Sequence, residues 1–96
     1  SKKSVVIWVD SDGVIAAPQY KSVLLSSVLK GVGTSVTQVI RDTRSKKFNN
    51  TAYLGTLKNK GTGLAPFYDY DSKISQKTKD ELKRLSLAIA SGSLKI

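Results

Sequence analysis

Hydrophobic residues fall in blocks separated by glycine, proline and charge. Val5-Val6-Ile7-Trp8-Val9 is an unbroken apolar run with no alternation. Such a run predicts a strand over Ser4 to Val9, buried on both faces as in a parallel α/β sheet. Ser11 to Tyr20 reads as a loop, with the turn dipeptide Asp12-Gly13 and the restraint of Pro18. Val23 to Leu29 is β-capable but short enough to be ambiguous between strand and helix. Beyond Gly31 and Gly33, Thr34 or Ser35 could cap a helix with Val36, Val39 and Ile40 on one face. Arg44, Lys46 and Lys47 would sit near its carboxyl end, where cations suit the helix dipole.

Thr51 to Leu57 has strand composition, and Lys58 to Gly63 reads as a loop with permissive backbone. Leu64 to Tyr70 is short and aromatic-rich. A last helix is predicted from a Ser75 cap, with Leu82, Leu85, Ala88 and Ile89 as its stripe and Ser91-Gly92 as its end. Leu94 to Ile96 is read as a terminal strand. The pattern is α/β, with about three strands and two main helices and no internal repeat.

The chain has 96 residues, enough for one small unit. Lacking Cys and His, it offers no disulfide, ordinary zinc site or histidine-based triad. No apolar run is long enough to span a bilayer. There is no Met, even at position 1, so Ser1 is expected to mark a processing or cloning boundary. The formal net charge of +9 at pH 7 suggests anionic surroundings. Only Arg41 to Lys47 and Lys77 to Arg84 are dense in cations, and neither is interleaved with aromatic stacking platforms. The expectation is a solvated basic surface with no nucleic-acid partner, although a basic nucleic-acid-binding module stays open as an alternative.

Buried parallel strands carry ligands beyond their carboxyl ends, and there the first strand places Asp10 and Asp12. Asp10-Ser11-Asp12-Gly13-Val14 after an apolar strand matches the opening signature of haloacid-dehalogenase-like phosphotransferases. Asp10 would there be the nucleophile and Asp12 the acid/base, beside magnesium. That chemistry also needs a second acidic pair, for which only Asp69 and Asp71 stand available. Asp69-Tyr70-Asp71-Ser72-Lys73 fails as a calcium loop, because Lys73 and Ile74 stand where an oxygen ligand and glycine belong. Gly55 to Gly63 lacks the Gly-Lys-Ser/Thr of a phosphate loop. No metal or cofactor is therefore expected. Trp8 is expected to pack in the core. Lys30, ending its own apolar segment, could share the crevice with Asp10.

Taken in order, these pieces resemble one family. Val6-Ile7-Trp8-Val9-Asp10-Ser11-Asp12, Pro18, Val23 to Lys30, Val39 to Asp42, Lys47-Phe48 and Tyr53-Leu54-Gly55 lead to Leu57 to Phe67. A closing helix then runs to Ile89 through Ile96. The ordered set, covering essentially the whole chain, is similar to the carboxy-terminal part of the basic membrane protein family, nucleoside-binding lipoproteins of ABC importers. The resemblance implies a fragment of a type I periplasmic binding protein, with residues 1–96 a single partial domain contributing segments to both lobes. It implies ribose binding by Asp10 and Lys30 and no catalysis, with Asp12, Gly61 and Gly63 as possible loop or hinge support. It further implies an extracytoplasmic, membrane-anchored parent lipoprotein partnered by an ABC transporter permease. The base-reading residues belong mostly to the family's amino-terminal part. The 96 residues are therefore expected to bind nucleoside weakly or not at all, and to pair with another copy through exposed lobe faces. Gly13 departs from the family's usual Gln, and Gly31 to Thr34 from its usual acidic and small residues.

Overall fold

A computed structural model describes residues 3–96, leaving Ser1 and Lys2 outside it. Strand β1 (Val6–Asp10) leads to a short helix α1 (Gly13–Ala16), a 3-10 segment (Pro18–Val23) and strand β2 (Leu24–Lys30). Helix α2 (Val32–Arg44) follows, then a long stretch without regular structure, strand β3 (Thr62–Leu64), a 3-10 segment (Tyr68–Lys73) and helix α3 (Gln76–Ser91). The sheet order is β1-β2-β3, with β1 parallel and β3 antiparallel to β2. The described residues are mixed α/β, with one three-stranded sheet.

β2 is the centre of the sheet. Its Leu24, Ser26 and Ser27 are buried, and Ala17 and Ala65 complete a small core. Ser27 Oγ accepts the Gly13 amide at 3.0 Å on one side, and Ser26 Oγ donates to the Ala65 carbonyl at 2.8 Å on the other. Trp8 is half-buried against Gly13, where a Cβ would lie 2.7 Å from Trp8 Cγ. Gly13 has a steric role here: any larger residue would push the indole off the start of α1.

β1 is not buried on both faces. Among the described residues it is an edge strand flanked only by β2, and Ile7 and Val9 are 56% and 62% exposed. The apolar run encodes a strand correctly but overstates its cover, because periodicity records what a residue can bury and not whether a neighbour is present. The ambiguous 23–29 stretch is β2, and the 11–20 loop contains α1. α2 starts earlier than a Thr34 or Ser35 cap would allow. Its N-cap is Gly31, without a side-chain cap, and Ser35 Oγ instead donates back to the Gly31 carbonyl at 2.9 Å.

The strand read over Thr51 to Leu57 is absent, and the third strand lies at Thr62–Leu64, within and beyond the segment read as a loop. Asn59 explains the exchange. Its Oδ1 accepts from the amides of Thr56 and Gly61, and its Nδ2 donates to the Leu54 carbonyl. A side chain that satisfies local backbone groups competes with a ladder. α3 follows the sequence pattern, since Ser75 Oγ accepts from the Thr78 amide and Gly92, at φ 81°, closes the end. Leu94 to Ile96 forms no strand, and the Leu94 amide turns back to the Ala88 carbonyl at 3.1 Å.

Three backbone segments meet at glycines. The Gly31 amide donates to the Gly61 carbonyl at 2.9 Å, and the Gly61 amide to the Thr56 carbonyl at 3.0 Å. A Cβ on Gly61 would stand 2.3 Å from Gly55 Cα, and one on Gly31 would stand 2.2 Å from the Lys60 carbonyl oxygen. No side chain fits between these strands of backbone.

The molecule is long and open, with a radius of gyration of 16.3 Å and extents of 56 × 33 × 18 Å. A compact domain of this length has a radius near 12 Å. Neither α2 nor α3 has a fully buried residue. Gly61→Ala should lower the urea midpoint, with a loss of about 1–3 kcal/mol from overpacking. Gly33→Ala, in open space on α2, should raise the midpoint, with a gain of up to about 1 kcal/mol from helix propensity. Equal effects in urea titrations would mean that the crossing is not tightly packed.

Candidate functional site

Asp10 and Lys30 end adjacent parallel strands, with Asp10 paired to Leu29 in register. Their side chains meet: Lys30 Nζ lies 3.6 Å from Asp10 Oδ1. Asp10 takes φ 75°, in the left-handed region, which Asp tolerates better than most residues. The strand therefore stops there and the chain turns into the Ser11-Asp12 loop. Both side chains remain about 70% exposed, at 73% for Asp10 and 68% for Lys30. An ion pair this open contributes little to stability, at most about 1 kcal/mol. Its two groups are left available for a ligand.

The pair stands between two open clefts. One, of 460 Å³, runs from Asp10 and Lys30 along Val9, Val28, Val32, Val36 and Tyr53. The other, also 460 Å³, is bordered by Asp10, Asp12, Lys30, Thr34, Lys60 and Gly63. Each has the size of a small-molecule site, roughly 300–1,000 Å³. The first has an apolar wall and a polar, charged end, and the second is polar throughout much of its rim. Tyr53, Val32 and Val36 carry no motif that marks them for this cleft; the helix periodicity of Val32 and Val36 is the one available signal. Tyr53 reaches the cleft through the long irregular stretch, which no local pattern foretells.

Asp12 has a different position. Its Oδ1 accepts the Val14 amide at 3.0 Å, capping α1, while Oδ2 accepts a hydrogen bond from the Tyr68 hydroxyl. Tyr68 sits at φ 47°, a strained angle for a bulky side chain. Around it, Lys21 pairs with Asp69 at 2.9 Å and the Tyr70 hydroxyl donates to the Ser22 carbonyl at 2.7 Å. The Asp12 loop is thereby tied to the segment that follows β3. Gly61 lies at the glycine crossing and lines the first cleft, whereas Gly63 is within β3 opposite Leu29.

Asp69 and Asp71, on the 3-10 segment, are paired with Lys21 and Lys79. Among the described residues no cluster of three or more His, Cys, Asp or Glu is arranged to hold a metal. No described helix is long and apolar enough to cross a membrane. No protein-family model matches the chain, and no curated protein matches it in sequence.

The Asp12 carboxylate raises the pKa of the Tyr68 phenol above its ordinary 10.0, chiefly by accepting its hydrogen bond. That bond needs the protonated phenol. Its contribution is complete below pH 10 and is lost as pH rises through the raised value. Ultraviolet titration should show one tyrosine ionising above the others, and Tyr68→Phe should remove that late phase. Persistence of the phase in Tyr68→Phe would place the perturbed phenol elsewhere.

Proposed function

We propose that the chain is the ribose-holding portion of a solute-binding component of an ABC importer that takes up purine nucleosides. In this reading it forms the carboxy-terminal part of a two-lobed type I periplasmic binding protein, anchored outside the cytoplasmic membrane as a lipoprotein and delivering ligand to a permease. The observation that carries the proposal is the meeting of Asp10 and Lys30 at 3.6 Å, at the carboxyl ends of parallel strands and at the mouth of an apolar-walled cleft.

The chemistry suits a nucleoside. A carboxylate presents two acceptor oxygens, which match the two hydroxyls of a vicinal diol, and charge-assisted hydrogen bonds of this kind are worth roughly 1.5–3 kcal/mol each. Lys30 donates to the same sugar and offsets the carboxylate charge. Val32, Val36 and Tyr53 provide an apolar wall for the flat base. The ordered resemblance from Val6 to Ile96 supports the same reading. The phosphotransferase alternative fits less well, because Asp12 is occupied with Val14 and Tyr68 and Asp69 and Asp71 are engaged elsewhere.

The open clefts enclose little of any ligand, so isothermal calorimetry of this chain with adenosine, guanosine and inosine should show no micromolar binding. At millimolar concentration, adenosine should still shift the amide resonances of Asp10, Lys30 and Thr62, and 2′,3′-dideoxyadenosine should not. Equal shifts with both compounds, or none with either, would reject ribose recognition by this pair. Asp10→Ala should abolish the shifts while Asp12→Ala retains them in weakened form. The reverse order would move the acceptor to Asp12.

A further inference from the structure

Asp12 is the only aspartate in the chain that glycine follows. This dipeptide is prone to spontaneous isomerisation, because glycine puts no side chain beside its own nitrogen. The Gly13 nitrogen attacks Asp12 Cγ, closing a five-membered succinimide, and one water leaves. Water then reopens the ring. Attack at the former main-chain carbonyl leaves isoaspartate, whose backbone runs through Cβ and is longer by one carbon.

The fold builds this reactive pair into the turn between β1 and α1. Gly13 is buried, and a Cβ there would stand 2.7 Å from Trp8 Cγ and 3.1 Å from Leu24 Cδ1. A bulkier residue that would slow the reaction has no room. Asp12 in turn supplies the cap of α1 through the Val14 amide. The same turn keeps the reacting atoms occupied. The Gly13 N–H donates to Ser27 Oγ at 3.0 Å in a buried bond, so the attacking nitrogen is committed to β2. Both Asp12 oxygens are taken as well, one by the Val14 amide and one by the Tyr68 hydroxyl. Attack requires the nitrogen to leave Ser27 and the carboxyl carbon to turn away from Val14 and Tyr68.

We propose that Asp12-Gly13 is an isoaspartate-forming modification site, gated by the hydrogen bond between Gly13 and Ser27. A reaction confined to an opened state proceeds in proportion to the population of that state. The intact turn therefore suppresses the reaction, and each opening of it exposes the chain to a lasting change. The longer backbone cannot hold Gly13 at Ser27 while the same carboxylate caps α1. A turn that has reacted stays open, and the loop that follows Asp10 loses its shape. The chemistry uses only this chain and water, so it holds whatever ligand Asp10 and Lys30 bind.

The test is warm incubation at neutral pH, followed by digestion with an endoproteinase that cleaves before aspartate but not before isoaspartate. Fragmentation by electron transfer then places the modified residue. The folded chain should form isoaspartate at Asp12 at least about tenfold more slowly than the chain unfolded in guanidinium chloride, as one buried hydrogen bond alone would ensure. Ser27→Ala, shown by circular dichroism to be folded, should accelerate the reaction at Asp12 by about tenfold. Gly61→Ala, which strains the glycine crossing instead, should leave that rate unchanged. Amide hydrogen exchange supplies a second measure that needs no variant: the protection of the Gly13 amide should match the suppression of isoaspartate. Equal rates in the folded and unfolded chain, or an unprotected Gly13 amide, would overturn the proposal. Equal acceleration by Ser27→Ala and Gly61→Ala would also overturn it, in favour of reaction through global unfolding.

Discussion

Two adjacent serines in the middle strand hold this structure together. Successive residues of a strand point to opposite faces, and Ser26 and Ser27 use that alternation to grip two different parts of the chain. Ser27 receives the amide of Gly13 and so fixes the turn that follows β1. Ser26 donates a hydrogen bond to the carbonyl of Ala65 and so fixes the turn that follows β3. Each bond is buried, and a buried polar group left without its partner costs about 1–3 kcal/mol. In a core whose buried apolar members are Leu24, Ala17 and Ala65, that penalty is comparable with the roughly 1.5–3 kcal/mol that burying one leucine supplies. The positions of Asp10 and Lys30 follow from the same grip, because both strands end just beyond the clamped segment.

The site and the scaffold divide their labour by exposure. Asp10 and Lys30 face solvent and add almost nothing to folding, while Asp12, two residues further on, is spent on the cap of α1 and on Tyr68. Two carboxylates in one short motif thus have separate work. The loop after Asp10 is held in shape by Asp12. The glycine crossing beneath the cleft serves the same end by contact without side chains, bringing Gly31 and Gly61 within hydrogen-bonding distance at the base of the Lys30 turn.

Much of this could be read from the sequence wherever a local rule had one physical solution. Ser75 and Gly92 bracket α3 because a hydroxyl cap and a left-handed terminus are matters of neighbouring residues. Asp10 and Lys30 each close an apolar segment, and the ends of adjacent strands of one sheet lie side by side. The misreadings share a different cause. Thr51 to Leu57 has the composition of a strand but its backbone is claimed by Asn59, and Thr62–Leu64 looks like a flexible loop but finds the free edge of β2. Composition cannot report which segment reaches an edge first. β1 carries the apolar signature of an interior strand while lying outermost, since the covering partner is not encoded in the strand itself.

The placement of β3 also bears on the order in which the sheet assembles. β1 and β2 are joined by a short connection with its own helix, and their ladder can close early. β3 reaches β2 only after α2 and the irregular stretch have been laid down, with Thr62 bonding back to Leu29. Closing a loop of about 30 residues costs about 3 kcal/mol in chain entropy. Three paired residues and one glycine crossing must repay it. The third strand, and with it one wall of both clefts, is therefore the last part of the sheet to form and the first to open.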